Sequence, residues 1–207
     1  MTNLSEILSN VRASSSPTVT VPEKWGQGRA TFGGLVVAMM YEKLSASVAE
    51  GRMVRSLMVS FVAPVAPGNM DISVKVLREG KSATQVQAMA SQNDCVVAVV
   101  MASFGGDRES AISVSYEEPP EMKSPEEGDV MPFIKNLTPD FTQYFDYSFT
   151  LGKMPFMGST DPMLGGWIRL KESTDESVTV PEILALLDAW PPATFTMLKK
   201  PASGSTL

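Results

Sequence analysis

Histidine is absent from the 207 residues, and cysteine occurs once, at Cys95. Those two counts remove Ser-His-Asp and Cys-His nucleophile systems, His-ligated zinc and Asp-His dyads. Cys95 heads the apolar run CVVAVVM, which reads as a buried strand with no partner base nearby in sequence. Chemistry therefore falls to carboxylates, hydroxyls, amides, backbone dipoles and water. Asp188 is the most suggestive carboxylate. It follows Ile183, Leu184, Leu186 and Leu187 and precedes Trp190, so it sits in an apolar helix and near that helix's C-terminus. Burial and the helix dipole both disfavour its charge there and should raise its pKa, as a general base requires. A side chain that points to solvent or caps a neighbouring loop would fit the same residues. The second suggestive feature is the pair Gly33-Gly34 at the start of a helix. Two glycines let a ligand or another backbone approach the free N–H groups, where an oxygen gaining negative charge would be stabilised. A tight strand-to-helix turn without a ligand explains the pair equally well.

The elements that must position these residues follow from periodicity. From residue 35 the apolar positions Leu35 and Met39, and Val36, Met40, Leu44 and Val48, recur four apart. The first half of this helix is apolar nearly all round, which predicts a buried helix with a sheet as its partner. Ahead of it, residues 3–12 read as a short helix and residues 18–25 as an extended strand. Behind it, residues 54–63, 70–78, 83–92 and 95–104 alternate or run apolar between turn signals, predicting four strands. An antiparallel sheet wrapped round one helix is the economical arrangement.

Residues 107–131 are acidic and proline-rich and read as a linker. Beyond it, residues 144–151 and 164–172 read as strands and residues 173–177 as a polar turn. A second apolar helix opens at Pro181 and ends before Pro191-Pro192. The element order thus half-repeats the first unit, with residues 1–106 as one unit, 107–131 as the linker and 132–207 as a partial second unit. A helix short of strands would leave an exposed apolar patch, so the natural chain is expected to continue past Leu207 or to be completed by another chain.

Apolar residues make up 43% and charged residues 19%, a globular balance. The net charge of −6, with no basic cluster beyond Lys199-Lys200, argues against a nucleic-acid partner. No run reaches the ~20 apolar residues of a membrane span, and the N-terminus lacks the build of a signal peptide. One cysteine fits a reducing cytoplasm. Trp25, Trp167 and Trp190 are expected as core anchors, and Asp146, Asp161 and Glu182 as solvated or turn residues. The 14 methionines suit an adaptable interior, whether an acyl tunnel or a plain core.

Taken together, RATFGGLVVAMMYEKL, the hairpin LREGKS and the late LLDAWPPATF resemble the acyl-CoA thioesterases of the TesB-like branch. The resemblance implies an α+β double hotdog fold, in which each unit is an antiparallel sheet round a long helix. It also implies hydrolysis of an acyl-CoA to free acid and CoA with no cofactor and no metal. In that family an Asp on the second helix activates water, assisted by a Thr or Ser on the next strand and a Gln further on. Asp188 matches the Asp and Thr206 the hydroxyl residue, while the Gln position would lie beyond Leu207. Gly33 and Gly34 match the glycine turn that lies against the thioester. The resemblance further implies a homodimer of double units. A non-catalytic acyl- or CoA-binding hotdog protein is the alternative; a hydratase is disfavoured by the missing histidine.

Overall fold

The computed structural model of the chain describes residues 3–172, 177–202 and 204. It opens with α1 (Leu4–Ala13), whose Asn3 cap accepts from the Glu6 N–H at 2.8 Å and whose Leu4, Ile7, Leu8 and Val11 are buried. Next come β1 (Thr18–Val21), the two-residue pair β2 (Gly26–Gln27) and β3 (Ala30–Thr31), and the long helix α2 (Gly33–Ser45). Every residue from Gly34 to Glu42 is buried, because a sheet, α1 and a second helix close on α2 from different sides.

The sheet is antiparallel, in the order β1-β5-β6-β7-β4, with β4 (Met53–Phe61), β5 (Gly68–Glu79), β6 (Ala83–Gln92) and β7 (Cys95–Gly105). Its inward positions, among them Ile72, Val86, Ala88, Val100 and Ala102, face α2. The β6–β7 hairpin turns on Asn93 and Asp94, both at positive φ (50° and 61°), the geometry a tight two-residue hairpin demands. Cys95 emerges from that turn and is exposed, so the reading of it as buried is corrected. The apolar run fills the core only from Val97 on.

After β7, residues 107–124 carry no regular element. A 3-10 turn at Pro125–Glu127 leads into β8 (Asp129–Val130), which pairs with β9 (Phe145–Gly152), and β9 pairs with β10 (Leu164–Leu170). This second sheet, β10-β9-β8, has three strands against the first sheet's five. The helix α3 (Val180–Asp188) lies against it and against α2. The expected half-coverage of this helix is visible: Ile183 and Leu187, four apart, are 43% and 70% exposed.

One apolar core spans both sheets. Its second half is aromatic, with Phe141, Phe145, Tyr147 and Phe149 buried and Trp190 edge-on to Tyr147 and Phe149. Trp25 is buried and stacked on Tyr144 at 4.1 Å. Trp167 departs from expectation: it is 45% exposed on β10, and its indole N–H donates to the Lys123 carbonyl at 2.9 Å. That contact straps the connecting segment to the outer face of the small sheet.

Candidate active site

The N-terminus of α2 is fixed from behind by its approach. The Thr31 N–H donates to the Val65 carbonyl at 2.7 Å and the Phe32 N–H to the Trp25 carbonyl at 2.8 Å. Phe32 occupies the cap position and has no side-chain acceptor, so the first-turn N–H groups of α2 need a partner from elsewhere. Asp188 of the other unit supplies such a partner for one of them, that of Gly34. Its carboxylate lies against the Gly33-Gly34 turn, and the Gly34 N–H faces it and favours its charged form. A methyl group on Gly33 would come within 2.9 Å of Asp188 Oδ2 and 2.8 Å of the Phe61 ring. A methyl group on Gly34 would stand 3.0 Å from the Ala185 Cα. Glycine at both places is what lets helix and carboxylate come this close.

The two helices run in opposite senses. Asp188, at the end of α3, meets the start of α2, while α1 bridges their other ends. There Arg12 donates to both oxygens of the buried Glu42 on α2, at 2.7 and 3.0 Å, and also lies in the field of Glu182 on α3. Glu182 was expected in solvent or a turn but is buried in the first turn of α3. It accepts from the Thr179 N–H at 2.8 Å, the Thr179 hydroxyl at 2.7 Å and the Ser5 hydroxyl at 3.0 Å. Burial raises its pKa, yet these donors and Arg12 outweigh burial and hold it below the ordinary value. Glu182 is therefore a structural anion that orients α3.

Asp188 is the opposite case. Burial pushes its pKa up, and the Gly34 N–H only partly offsets that. A carboxylate with a raised pKa in contact with a glycine turn can hold a water and take its proton. Just past it, the buried Tyr147 donates its hydroxyl to the Ala189 carbonyl at 3.2 Å and anchors the end of α3.

The structure thus brings together Asp188, Gly33 and Gly34, three of the residues singled out from sequence. Thr206, the fourth, lies outside the described residues. Asp146 pairs with Arg169 at 3.0 Å and Asp161 accepts from the Met163 N–H in a turn, both away from this site. Sequence reading missed Phe61 and Tyr147. Phe61 was legible only as the last inward position of the Leu57, Val59, Phe61 alternation, and nothing local tied it to Asp188.

Comparison with known proteins bears on the fold and the family. Residues 21–105 match the N-terminal domain of acyl-CoA thioesterases and residues 118–207 the C-terminal domain, so the two matches span most of the chain. None of the curated proteins matches the sequence. Among solved structures, a hot dog protein of unknown function from Alicyclobacillus acidocaldarius superposes with a TM-score of 0.77 at 22% identity, covering 95% of this chain and 74% of that one. The tesB protein of Mycobacterium avium subspecies paratuberculosis gives 0.65 at 18% identity, over 90% and 70% of the two chains. An acyl-CoA thioesterase II from Mycobacterium marinum gives 0.64 at 15%, over 87% and 68%. At these identities the superpositions establish a tandem hotdog fold. With both family domains present in order, the chain belongs to the acyl-CoA thioesterase family, in its TesB-like, double hotdog form.

Proposed function

We propose that the protein hydrolyses acyl-CoA thioesters at the junction of α2 and α3, with Asp188 as the general base. The observation that carries this reading is the seating of the Asp188 carboxylate on the Gly33-Gly34 turn of the other unit. In the reaction, Asp188 takes a proton from a water as the water oxygen bonds to the thioester carbon. The carbonyl oxygen becomes an oxyanion beside the first-turn N–H groups of α2, whose dipole favours negative charge. The tetrahedral intermediate then collapses, the C–S bond breaks, and the proton held by Asp188 passes to the departing CoA sulfur. Thiolate leaves readily, so no histidine-activated nucleophile is required. The Gly34 N–H aims the base in the resting site. Thr206 is assigned to this centre by the family resemblance, as a hydroxyl that would hold the water or the carboxylate.

The test is thiol release from a panel of acyl-CoAs by the protein and by Asp188→Asn. Loss of a positioned general base should lower kcat by roughly 10²-fold or more. Unchanged turnover in the variant would remove Asp188 from the chemistry. Binding of acyl-CoA with no turnover by either form would favour a non-catalytic binding protein.

A further inference from the structure

We infer that the acyl group accepted at this site is short, because Phe61, the Gly34–Ala185 helix contact and the Phe32–Phe141 ring pair close on three sides the space round the Gly33-Gly34 turn against which Asp188 lies. The inference rests on the proposed thioesterase reading and adds the substrate class to it.

Phe61 forms the first wall. It ends β4 with its side chain turned inward, and its ring lies within 2.8 Å of the point that a methyl group on Gly33 would occupy. Asp188 Oδ2 lies 2.9 Å from that same point. Ring and carboxylate therefore flank one spot, and a thioester carbon delivered to a water on Asp188 has the ring beside it. Its acyl chain cannot extend in that direction without moving the ring.

The helix crossing forms the second wall. Three residues before Asp188, Ala185 is fully buried, and a Cβ on Gly34 would stand 3.0 Å from its Cα. Backbone meets backbone there, with no long side chain to swing aside. The gap between α2 and α3 is shut about one turn from the carboxylate, so an acyl tail cannot run along it.

Aromatic rings form the floor. Phe32 folds beneath Gly34, stacks on Phe141 at 4.0 Å and meets Phe145 edge-on at 5.9 Å. Phe32, Phe141 and Phe145 are all buried. A close-packed cluster resists insertion of further methylenes, since its rings would have to leave their rotamers to admit them.

The experiment is kcat/KM for acetyl-, butyryl-, decanoyl- and palmitoyl-CoA on the full chain, Phe61→Ala, Phe61→Leu and Asp188→Asn. The expected profile for the native chain falls at least about tenfold from butyryl to decanoyl. Phe61→Ala should raise the decanoyl-to-butyryl ratio by about tenfold, with Phe61→Leu between the two. A ratio of substrates is insensitive to the fraction of folded enzyme, and Phe61→Leu keeps the test open if the alanine variant folds poorly. A flat profile, a preference for palmitoyl, or a Phe61→Ala profile that copies the native one would overturn the inference. If long-chain turnover is found and is lost in Asp188→Asn, the thioesterase reading stands and only the length limit fails. Turnover of no acyl-CoA, or turnover untouched in Asp188→Asn, would bring down both.

Discussion

Asp188 ends one helix and faces the start of another, so two dipoles act on it with opposite sign. The C-terminus of α3 disfavours its charge and the N-terminus of α2 favours it, each by roughly 0.3–1 kcal/mol. With the dipoles opposed, burial decides the direction, and the carboxyl is held above its ordinary value. A base must be deprotonated to work, so kcat/KM should drop as pH falls through that raised pKa. The acid limb should therefore lie at a higher pH than the ~3.9 of a free Asp would give. A pH profile whose acid limb sits at or below that value would contradict the shift. The two glycines separate by what they face. Gly33→Ala meets the movable ends of a carboxylate and a ring, so displacing the base should cost about 10–100-fold in kcat with little loss of stability. Gly34→Ala meets the buried, stacked Phe32 ring and the Ala185 backbone and should cost about 1–3 kcal/mol, read by chemical denaturation. Equal effects of both on stability would show that the turn is looser than these contacts imply.

The short helix α1 locks the antiparallel pair α2 and α3 at the end away from Asp188. Glu42 is 5% exposed, and its charge is compensated by the fork of Arg12, whose own side chain is 62% exposed. Removing a partner from a fully buried pair costs about 3–5 kcal/mol, but solvent screens the open side of Arg12, so Arg12→Ala should destabilise by about 1–2 kcal/mol. Denaturant midpoints for Arg12→Ala and for the double change with Glu42→Gln test this. The second change should recover part of the loss, because it removes the stranded charge. A zero effect for Arg12→Ala would mean that Glu42 is already hydrated. At the start of α3, where Thr179 and Glu182 form a capping box, Pro181 was legible as the helix opening. The Ser5 bond to the same carboxylate, from 177 residues earlier in the chain, was not.

Across the whole molecule the two units are unequal, and the inequality is concentrated round α3. The five-stranded sheet leaves little of α2 open, whereas the three-stranded sheet leaves Ile183 and Leu187 facing outward. One contiguous core nevertheless joins the units, through the α2–α3 contact and the aromatic cluster beneath it. The catalytic candidates come from opposite halves of the chain and meet only because that shared core holds the helices antiparallel. Among the described residues no helix is long and apolar enough to cross a membrane.

Local periodicity was enough to define α2, the four strands after it, β9, β10 and α3, because burial on one face writes its period into the sequence wherever an element is long. The absence of histidine removed the histidine-based mechanisms, and the resemblance to the family motifs pointed to Asp188. Other features depended on contacts between residues far apart in the chain. Cys95 is exposed because a hairpin turn delivers it at the sheet tip, and Trp167 is exposed because its indole straps a connecting segment. Glu182 is buried because a hydroxyl of α1 reaches it. Asp188 gains its partner because Phe32 cannot cap α2 and the helix crossing brings a carboxylate from the other unit to the vacant N–H groups. Sequence specified each helix and strand by its own pattern; which side chain satisfies which helix end was decided by the packing of one unit on the other.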